Sequence, residues 1–590
     1  MIICGLKLTH DGAVALLDGD RLVFSVEVEK RANGRRYSAV DDLGLVASIL
    51  ADFGYTVEDV DEWVIDGWDG EQKHVLNRYD NGNPLSIPVG PYRESVHAPD
   101  LLQPSLSGDF TIDGHPLTYT SYPHAAGHLA SAYSSSPFAV RGESSFALIW
   151  DGGLFPMLYW IDPAQGIRSL GPLFPLIGHV YALAGLSFGP QRGASQATKA
   201  DELSIAGKLM AYIALGAADA RVQDILSEIF YRMFESENES AVLYRKTVRG
   251  YGSLFEPSRA PVHELFAELQ DRVRSLNVSD EDVLASIHEF LQGLLTERIT
   301  DMVQRWSRSP NSSAGAGPWN LCLAGGCALN IKWNSALRAL PIFQEVWVPP
   351  FPNDSGSAIG AAVLGLARKV GLAPIGWQVR SGPALKSPPT TLPEGWTAVR
   401  TSAADLARIL HETGEPVVVL NGRAELGPRA LGGRSIIAAA VSPDMKDRLN
   451  RMKGRESYRP VAPICLSDHA PQLFDPGTPD PYMLFEHRVR PEWVRRIPAV
   501  VHLDGSARLQ TVTHHDEPFL ADLLEHYHRL SGVPVLCNTS ANLAGSGFFP
   551  DVASAIRWGR TDLIYSDGVL YQRSSHVHLT NMRGNTDAPQ

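Results

Sequence analysis

One plan is written twice in this chain: an apolar strand, a tight tip made of an aspartate and a glycine, and a returning apolar strand. It first occupies Ile2-Ile-Cys-Gly-Leu-Lys-Leu, the tip Thr9-His10-Asp11-Gly12 and Ala13-Val-Ala-Leu-Leu, with a second turn at Asp18-Gly19-Asp20 before Arg21-Leu-Val-Phe-Ser-Val. It recurs at Ser145-Phe-Ala-Leu-Ile-Trp-Asp151-Gly-Gly, followed by Met157-Leu-Tyr-Trp-Ile and the turn Asp162-Pro-Ala-Gln-Gly. Asp-Gly between hydrophobic runs signals a hairpin, so the first copy is expected to form an antiparallel meander with His10 and Asp11 at its first tip. The recurrence suggests an internal duplication; on the pattern alone, two unrelated hairpins explain it equally well.

Two such halves facing each other resemble the ATP-grasping cleft of the sugar kinase, heat-shock chaperone and actin (ASKHA) class, whose glycine tips reach nucleotide phosphates from both sides. A length of 590 residues predicts about three to four packed units. The formal charge of -13 argues against a nucleic-acid groove built on bulk positive field and favours small-molecule chemistry. No apolar run is long enough to span a membrane, and Met1-Ile-Ile-Cys enters a strand directly, so the expectation is a soluble cytoplasmic protein. The five cysteines lack Cys-x-x-Cys spacing, which indicates neither a disulfide framework nor a thiolate zinc site.

Tyr122-Pro-His-Ala-Ala-Gly-His128 places two imidazoles four residues apart just after a proline, on one face of a helix. Iron or zinc suits imidazole but needs a further ligand, commonly a carboxylate, and Asp151 and Asp354 are the candidates. The alternative is a pair of half-buried, hydrogen-bonded histidines. The run Ile205-Ala-Gly207-Lys208-Leu-Met sets a lysine beside a glycine, where an ordinary exposed helix lysine is the simpler reading. Residues 280–308 read as an amphipathic core helix. Asn320-Leu-Cys-Leu-Ala-Gly325-Gly326 reads as a buried strand ending in paired glycines at a helix start, where free backbone donors favour phosphate. Asp354, after Pro352-Asn353, precedes a helix of small residues, and capping alone would explain it.

Together these motifs, in order, resemble the O-carbamoyltransferases of natural-product and nodulation-factor biosynthesis, the NodU, cephalosporin and tobramycin carbamoyltransferase type. The resemblance runs over nearly the full length and continues through Glu425-Leu-Gly-Pro-Arg429-Ala-Leu-Gly-Gly-Arg434-Ser, Lys453-Gly-Arg455-Glu-Ser-Tyr-Arg459-Pro, Asp504-Gly-Ser-Ala-Arg508 and Asn538-Thr-Ser540-Ala-Asn542. The N-terminus is nearest the cephalosporin branch. The resemblance implies an ASKHA-type carbamoyl-transfer domain over residues 1–380, similar to the tRNA threonylcarbamoyl-transfer enzyme, and a YrdC-like α/β domain over 381–590. The first would hold an iron-like metal (Fe2+, with Zn2+ as the alternative) on His124, His128, Asp151 and Asp354. Nucleotide would lie on Gly152, Gly153, Lys208, Gly325, Gly326, Asn330 and Asn353, with His10 and Asp11 catalytic. The second would make carbamoyladenylate from carbamoyl phosphate and Mg2+-ATP on Arg429, Lys453, Arg455, Arg508, Asn538, Ser540 and Asn542.

Read from the residues, a stretch rich in proline, glycine and serine at 376–393 is a linker. Beyond it, strands are expected at 416–420, 435–439, 459–464 and 533–537, and an extended segment would put Asn538, Ser540 and Asn542 on one face. The cationic residues concentrate there in an otherwise acidic chain, and fixed guanidinium groups bind phosphate bidentately. The expected reaction is ATP-dependent carbamoylation of a hydroxyl on a macrolide, sugar or cephem, as in antibiotic biosynthesis, with no nucleic acid or membrane partner and a homodimer as the base-rate assembly. The alternatives are a sugar kinase, a metal-dependent hydrolase, or tRNA threonylcarbamoylation.

Overall fold

Punctuation by Asp-Gly turns shapes the start of the chain: β1 (Ile2–Lys7), β2 (Ala13–Asp18) and β3 (Arg21–Glu27) form an antiparallel meander. At its first tip Asp11 takes a positive φ of 52°, which aspartate tolerates better than most residues. The computed structural model describes residues 1–32, 34–69, 74–94, 100–192, 199–237, 241–242, 255–543 and 545–573. Next to β1 lies β4 (Glu62–Asp66) in parallel, then β8 (His115–Tyr122) in parallel, with β7 (Leu106–Ile112) antiparallel at the edge. The order is β3-β2-β1-β4-β8-β7, and β5 (Val75–Asp80) with β6 (Asn83–Pro88) makes a separate hairpin.

The second sheet contains β9 (Ser145–Ile149), β10 (Met157–Asp162), β11 (Gly166–Pro172), β12 (Trp319–Ala324) and β13 (Phe343–Trp347), in the order β11-β10-β9-β12-β13. Its meander is antiparallel, and β9, β12 and β13 run parallel. Five consecutive positions of the two sheets therefore share order and sense, which is more than two unrelated hairpins provide. Between β11 and β12 lies a helical block that ends in the 28-residue helix Asp280–Ser307. Ser279 caps that helix by accepting the Asp282 N–H at 3.1 Å, and Val283, Ile287, Leu291 and Ile299 are buried on it.

Each sheet sends its last parallel strand into a buried helix: β8 into His124–Ser134 and β13 into Ser357–Val370. These two helices touch backbone to backbone. A Cβ on Gly360 would stand 2.0 Å from the Gly127 carbonyl oxygen, and one on Gly5 of β1 would stand 2.1 Å from that of Ala358. The small residues after Asp354 thus serve close packing.

The C-terminal unit is built on an eight-stranded mixed sheet. Its strands are β14 (Trp396–Arg400), β15 (Val417–Leu420), β16 (Arg434–Ala439), β17 (Ala462–Leu466), β21 (Gln510–Val512), β22 (Leu536–Ser540), β23 (Leu563–Ser566) and β24 (Val569–Arg573), in the order β14-β24-β23-β15-β16-β22-β17-β21. A small sheet adds β18 (Phe474–Asp475), β19 (His487–Val489) and β20 (Ser506–Ala507). β22 starts later than expected from Val533-Pro-Val-Leu-Cys, because Pro534 has no N–H for a central ladder. The chain is therefore α/β throughout. One compact unit comprises Met1–Val28, Tyr37–Ser381 and Leu426–Pro428, the other Glu29–Arg36, Gly382–Glu425 and Arg429–Gln590. Neither is continuous in sequence: Lys30 Nζ donates to the Glu425 carbonyl at 2.5 Å within the second, and the Gly427 N–H to Glu27 Oε1 at 2.8 Å within the first. Among the described residues no helix is long and apolar enough to cross a membrane.

The helix crossing predicts a contrast between two glycines. Gly360→Ala should lower the unfolding free energy by about 2–3 kcal/mol in urea titration, as overpacking does. Gly207→Ala, on the exposed side of the helix Lys199–Tyr212 with nothing near a Cβ, should raise it by about 0.5–1 kcal/mol.

Candidate active site

Strand ends place the charged groups of the N-terminal unit. Lys7 and Asp66 close the parallel strands β1 and β4, Asp151 follows β9, and Gly325-Gly326 follows β12. Parallel neighbours bring their C-terminal ends to one edge, where α/β sheets bind ligands. The helix after Pro123 presents His124 and His128 on one face, and Asp354 opens a 3-10 turn before Ser357–Val370. His124 Nε2 lies 3.1 Å from His128 Nε2, 3.3 Å from Asp354 Oδ1 and 3.8 Å from Asp151 Oδ2. His128 Nε2 lies 3.5 Å from Asp354 Oδ1 and 4.0 Å from Asp151 Oδ1.

This donor set fits a metal. Bonds of about 2.1 Å put neighbouring ligand atoms about 3.0–3.4 Å apart, and the four donor atoms all lie within 4.8 Å of one another. His124 Nδ1 meets Asp66 Oδ2 at 2.7 Å, which keeps the proton on Nδ1 and the Nε2 lone pair toward the cluster. The Tyr92 hydroxyl donates to Asp151 Oδ2 at 2.5 Å and the Gly326 N–H to Asp151 Oδ1 at 2.6 Å, fixing that carboxylate. Charge points the same way. Lys7 Nζ stands 3.0 Å from Asp66 and 2.8 Å from Asp354, all three buried, while Asp151 is buried beside them. Three carboxylates against one ammonium call for more positive charge in a buried site. Burial opposes charging His124, yet Asp66 raises its pKa well above the usual imidazole value. Burial pushes the Asp354 carboxyl up, but Lys7 and the histidines His124 and His10 hold it well below the carboxylate range.

The structure brings His10 to the same place. Its Nε2 lies 3.6 Å from Asp354 Oδ2 and its Nδ1 3.2 Å from Asp11 Oδ2, and the side chain is 30% exposed. Burial lowers its pKa, but Asp354 and the hydrogen bond with Asp11 raise it and prevail. Other expectations need correction. The paired glycines do not end in free donors: the Gly325 N–H donates to Pro352 O at 2.7 Å, the Gly326 N–H to Asp151, and the Cys327 N–H to Trp150 O at 3.0 Å. Gly153 donates its N–H to the Tyr92 phenol, and Gly152 packs so closely that a Cβ would stand 2.9 Å from His179 Nε2. Asn330 Oδ1 caps the helix Ile331–Arg338, accepting the Lys332 and Trp333 N–H groups at 3.2 and 3.3 Å. Asn353 Oδ1 accepts the Ser355 hydroxyl at 2.8 Å. Asp354 faces the histidines instead of capping its helix, and Lys208 is half-buried on the helix Lys199–Tyr212.

In the C-terminal unit, Gly454 ends the helix Asp444–Lys453 in a left-handed turn with φ 63°, between Lys453 and Arg455. Lys453 Nζ donates to Ser540 Oγ at 2.8 Å, Asn542 Oδ1 at 2.6 Å and Asn542 O at 3.1 Å, so it orders the end of β22. The strand stops at Ser540, leaving Asn542 outside it. Asn538, two positions before Ser540 on the same face of β22, has other partners, donating to Gln510 Oε1 at 2.6 Å and Ala430 O at 3.0 Å. Arg455 donates to Asn450 Oδ1 at 2.5 Å and Pro460 O at 3.3 Å. Among the described residues Lys453, Arg455 and Arg508 have no carboxylate partner in a salt bridge. Burial first, then neighbouring cations, depresses the Lys453 ammonium well below its usual range, Arg455 to about 9 and Arg508 to about 10. Arg429 is half-buried, and Arg434 is structural, donating to the Gly422, Gly433 and Pro383 carbonyls.

Residues 2–363 match the family model described as the carbamoyltransferase N-terminus, and residues 407–570 match the carbamoyltransferase C-terminus. The chain belongs to the carbamoyltransferase family. It is 51% identical to nodulation protein U of Rhizobium tropici, covering 98% of this chain and 97% of that protein. It is 49% identical to nodulation protein U of Bradyrhizobium diazoefficiens, covering 97% and 98%. Against the 3'-hydroxymethylcephem-O-carbamoyltransferase of Streptomyces clavuligerus it is 31% identical over 95% and 96%. Over the full chain, identity thus favours the nodulation proteins over the cephalosporin branch expected for the N-terminus. Family membership makes this a transferase and displaces the sugar kinase and hydrolase readings. Sequence reading missed three residues that pack on this histidine–aspartate cluster. Lys7 is the single charge in an apolar strand, Asp66 precedes a glycine after Trp63-Val-Ile, and Tyr92 carries no local signal.

His179 supplies a pH test. Burial, then the Arg259 guanidinium, lowers its pKa to about 4, against about 6.5 unfolded. Between those values the unfolded chain binds the extra proton, so stability falls as pH drops through the window. His179→Gln should remove up to about 3 kcal/mol of that fall, read as the difference between urea unfolding curves at pH 7 and pH 4. Identical pH dependence in the two proteins would contradict the assignment.

Proposed function

We propose that this carbamoyltransferase makes carbamoyladenylate from carbamoyl phosphate and ATP in its C-terminal unit and transfers the carbamoyl group to an alcohol in its N-terminal unit. The observation that carries the reading is the cationic group of buried Lys453 and half-buried Arg455 and Arg508, whose members repel one another and, among the described residues, make no salt bridge, the pull of Glu456 and Asp480 being weaker than burial and the neighbouring cations. Such a group is stabilised by polyanions, and Arg455, Arg508 and Arg429 would hold the phosphates while Lys453 keeps Ser540 and Asn542 in place. Mg2+ would accompany ATP. Because both phosphate and pyrophosphate leave, one water enters: carbamoyl phosphate is cleaved to carbamate and phosphate, and the carbamate oxygen displaces pyrophosphate from the ATP α-phosphorus.

We infer an ASKHA-type fold for the N-terminal unit, supported by the sheet order repeated over five strands, and a YrdC-like fold for the C-terminal unit. His124, His128, Asp151 and Asp354 would hold a divalent ion, with Fe2+ or Zn2+ matching two imidazoles and two carboxylates. Bound there, it would supply Lewis acidity toward an oxygen of the carbamoyl donor. His10 would take the acceptor proton, a role supported by the Asp11 contact at Nδ1, which leaves Nε2 to accept, and by a ring reachable from solvent. The alcohol oxygen attacks the carbamoyl carbon, AMP departs with the bonding pair, and the proton passes to His10 Nε2. The acceptor is a small molecule bearing a hydroxyl, the class named in the cephem relative.

Two assays separate the half-reactions: carbamoyl phosphate-dependent ATP–pyrophosphate exchange, and carbamoyl ester formation by mass spectrometry on a panel of a macrolide, an aminoglycoside, a deoxysugar and a 3'-hydroxymethylcephem. His128→Asn should lose the metal and cut ester formation by at least about 100-fold while exchange persists. Lys453→Ala should lose exchange, with ester formation rescued by added carbamoyladenylate. Equal loss of both activities in both variants would contradict separate sites.

A further inference from the structure

Between β4 and β7 the chain leaves the six-stranded sheet to form the β5–β6 hairpin, and from β5 Arg78 reaches back to the His10 tip. Its Nε and Nη2 both donate to the Leu8 carbonyl, at 3.1 and 2.8 Å, and its Nη1 donates to Asn77 O at 2.6 Å. Leu8 is buried and stands two residues before His10. A planar guanidinium with two N–H groups on one oxygen fixes both the place and the direction of that carbonyl, which a lysine head cannot do. The other end of the tip is held by the Gly12 N–H on Ser38 O at 2.8 Å. Between these holds the His10 ring rests edge-on against Trp68, with centroids 5.1 Å apart.

The hairpin is itself anchored. Asp42 accepts the Asn81 and Gly82 N–H groups, both at 3.0 Å, and the Tyr79 backbone pairs with Asp41 and Leu43 at 2.9 and 2.7 Å. Arg78 has no salt-bridge partner among the described residues, and burial depresses its pKa against the more distant pull of Asp41. Half-burying a cation against neutral carbonyls is a poor source of stability, so its value is positional.

We propose that Arg78 is a positioning residue for carbamoyl transfer: by holding the Leu8 carbonyl it sets His10 Nε2 against Asp354 and the histidine–aspartate cluster. This rests on the reading of His10 as the proton acceptor. The test uses full-length Arg78→Lys and Arg78→Ala, loaded with metal, on whichever alcohol of the panel above the wild type carbamoylates fastest. In both variants kcat for ester formation should fall about 10- to 100-fold, as a displacement of about 1 Å can cause. ATP–pyrophosphate exchange, metal content and the acceptor KM should stay at wild-type values, and added guanidinium chloride at millimolar concentration should restore part of the Arg78→Ala rate. Wild-type kcat in both variants would overturn the proposal. So would loss of metal and melting temperature together with activity and without guanidinium rescue, since Arg78 would then hold only the fold. Wild-type protein that carbamoylates none of the alcohols would instead bring down the functional reading, and this proposal with it.

Discussion

Three carboxylates and two imidazoles are buried together with a single ammonium, and the N-terminal unit is arranged to tolerate that imbalance. Lys7 bridges Asp66 and Asp354, and Asp66 passes its influence to His124 through Nδ1. Tyr92 and the Gly326 N–H hold Asp151. His124, Asp151 and Asp354 are thereby held in place by neighbours of their own, which keeps the cost of reorganisation low. The remaining negative charge is of the sign that a divalent cation would neutralise.

Such a pocket needs backbones that approach more closely than side chains normally allow. Gly127 and Gly360 let two buried helices touch, and Gly5 lets β1 lie on the second of them. That contact carries His124 and His128 from one half of the duplicated architecture to Asp354 from the other. The acidic tips at Asp11 and Asp151 close over the same edge, one bearing His10 and the other a carboxylate of the cluster. The C-terminal unit gathers charge of the opposite sign, with Lys453, Arg455 and Arg508 in a group whose members repel one another. A cluster short of positive charge in one unit and a cluster of cations in the other would suit the proposed reaction, in which one step activates and the next transfers.

Much of this was legible in the sequence where the signal is local. His124 and His128 fall on one helix face because the helix begins at Pro123, and the Asp-Gly tips mark the meander of each half. Asp151 and Asp354 were recognisable as carboxylate candidates, although nothing local distinguished a ligand Asp354 from a helix cap. What stayed hidden depends on distant pairing. Lys7 meets Asp66 only because β1 and β4 run parallel across 59 residues of chain. The donors of Gly325, Gly326 and Cys327 looked free because their acceptors lie on other segments. The strands β5, β6 and β7 carry little local signal because they are partly exposed and β6 is interrupted by proline, yet the chain around them brings Arg78 to Leu8 and Tyr92 to Asp151. In the C-terminal unit the cluster of basic residues was plain, but the engagement of Lys453 with Ser540 and Asn542 was not.

Anomalous diffraction from crystals of the metal-loaded protein tests the central claim most directly. The account predicts a single strong peak in the N-terminal unit, at bonding distance of about 2.0–2.3 Å from His124 Nε2, His128 Nε2 and carboxylate oxygens of Asp151 and Asp354, with Lys7 still between Asp66 and Asp354. A map with no peak among these side chains, or with the ion bound elsewhere while the histidines hydrogen-bond each other, would contradict it.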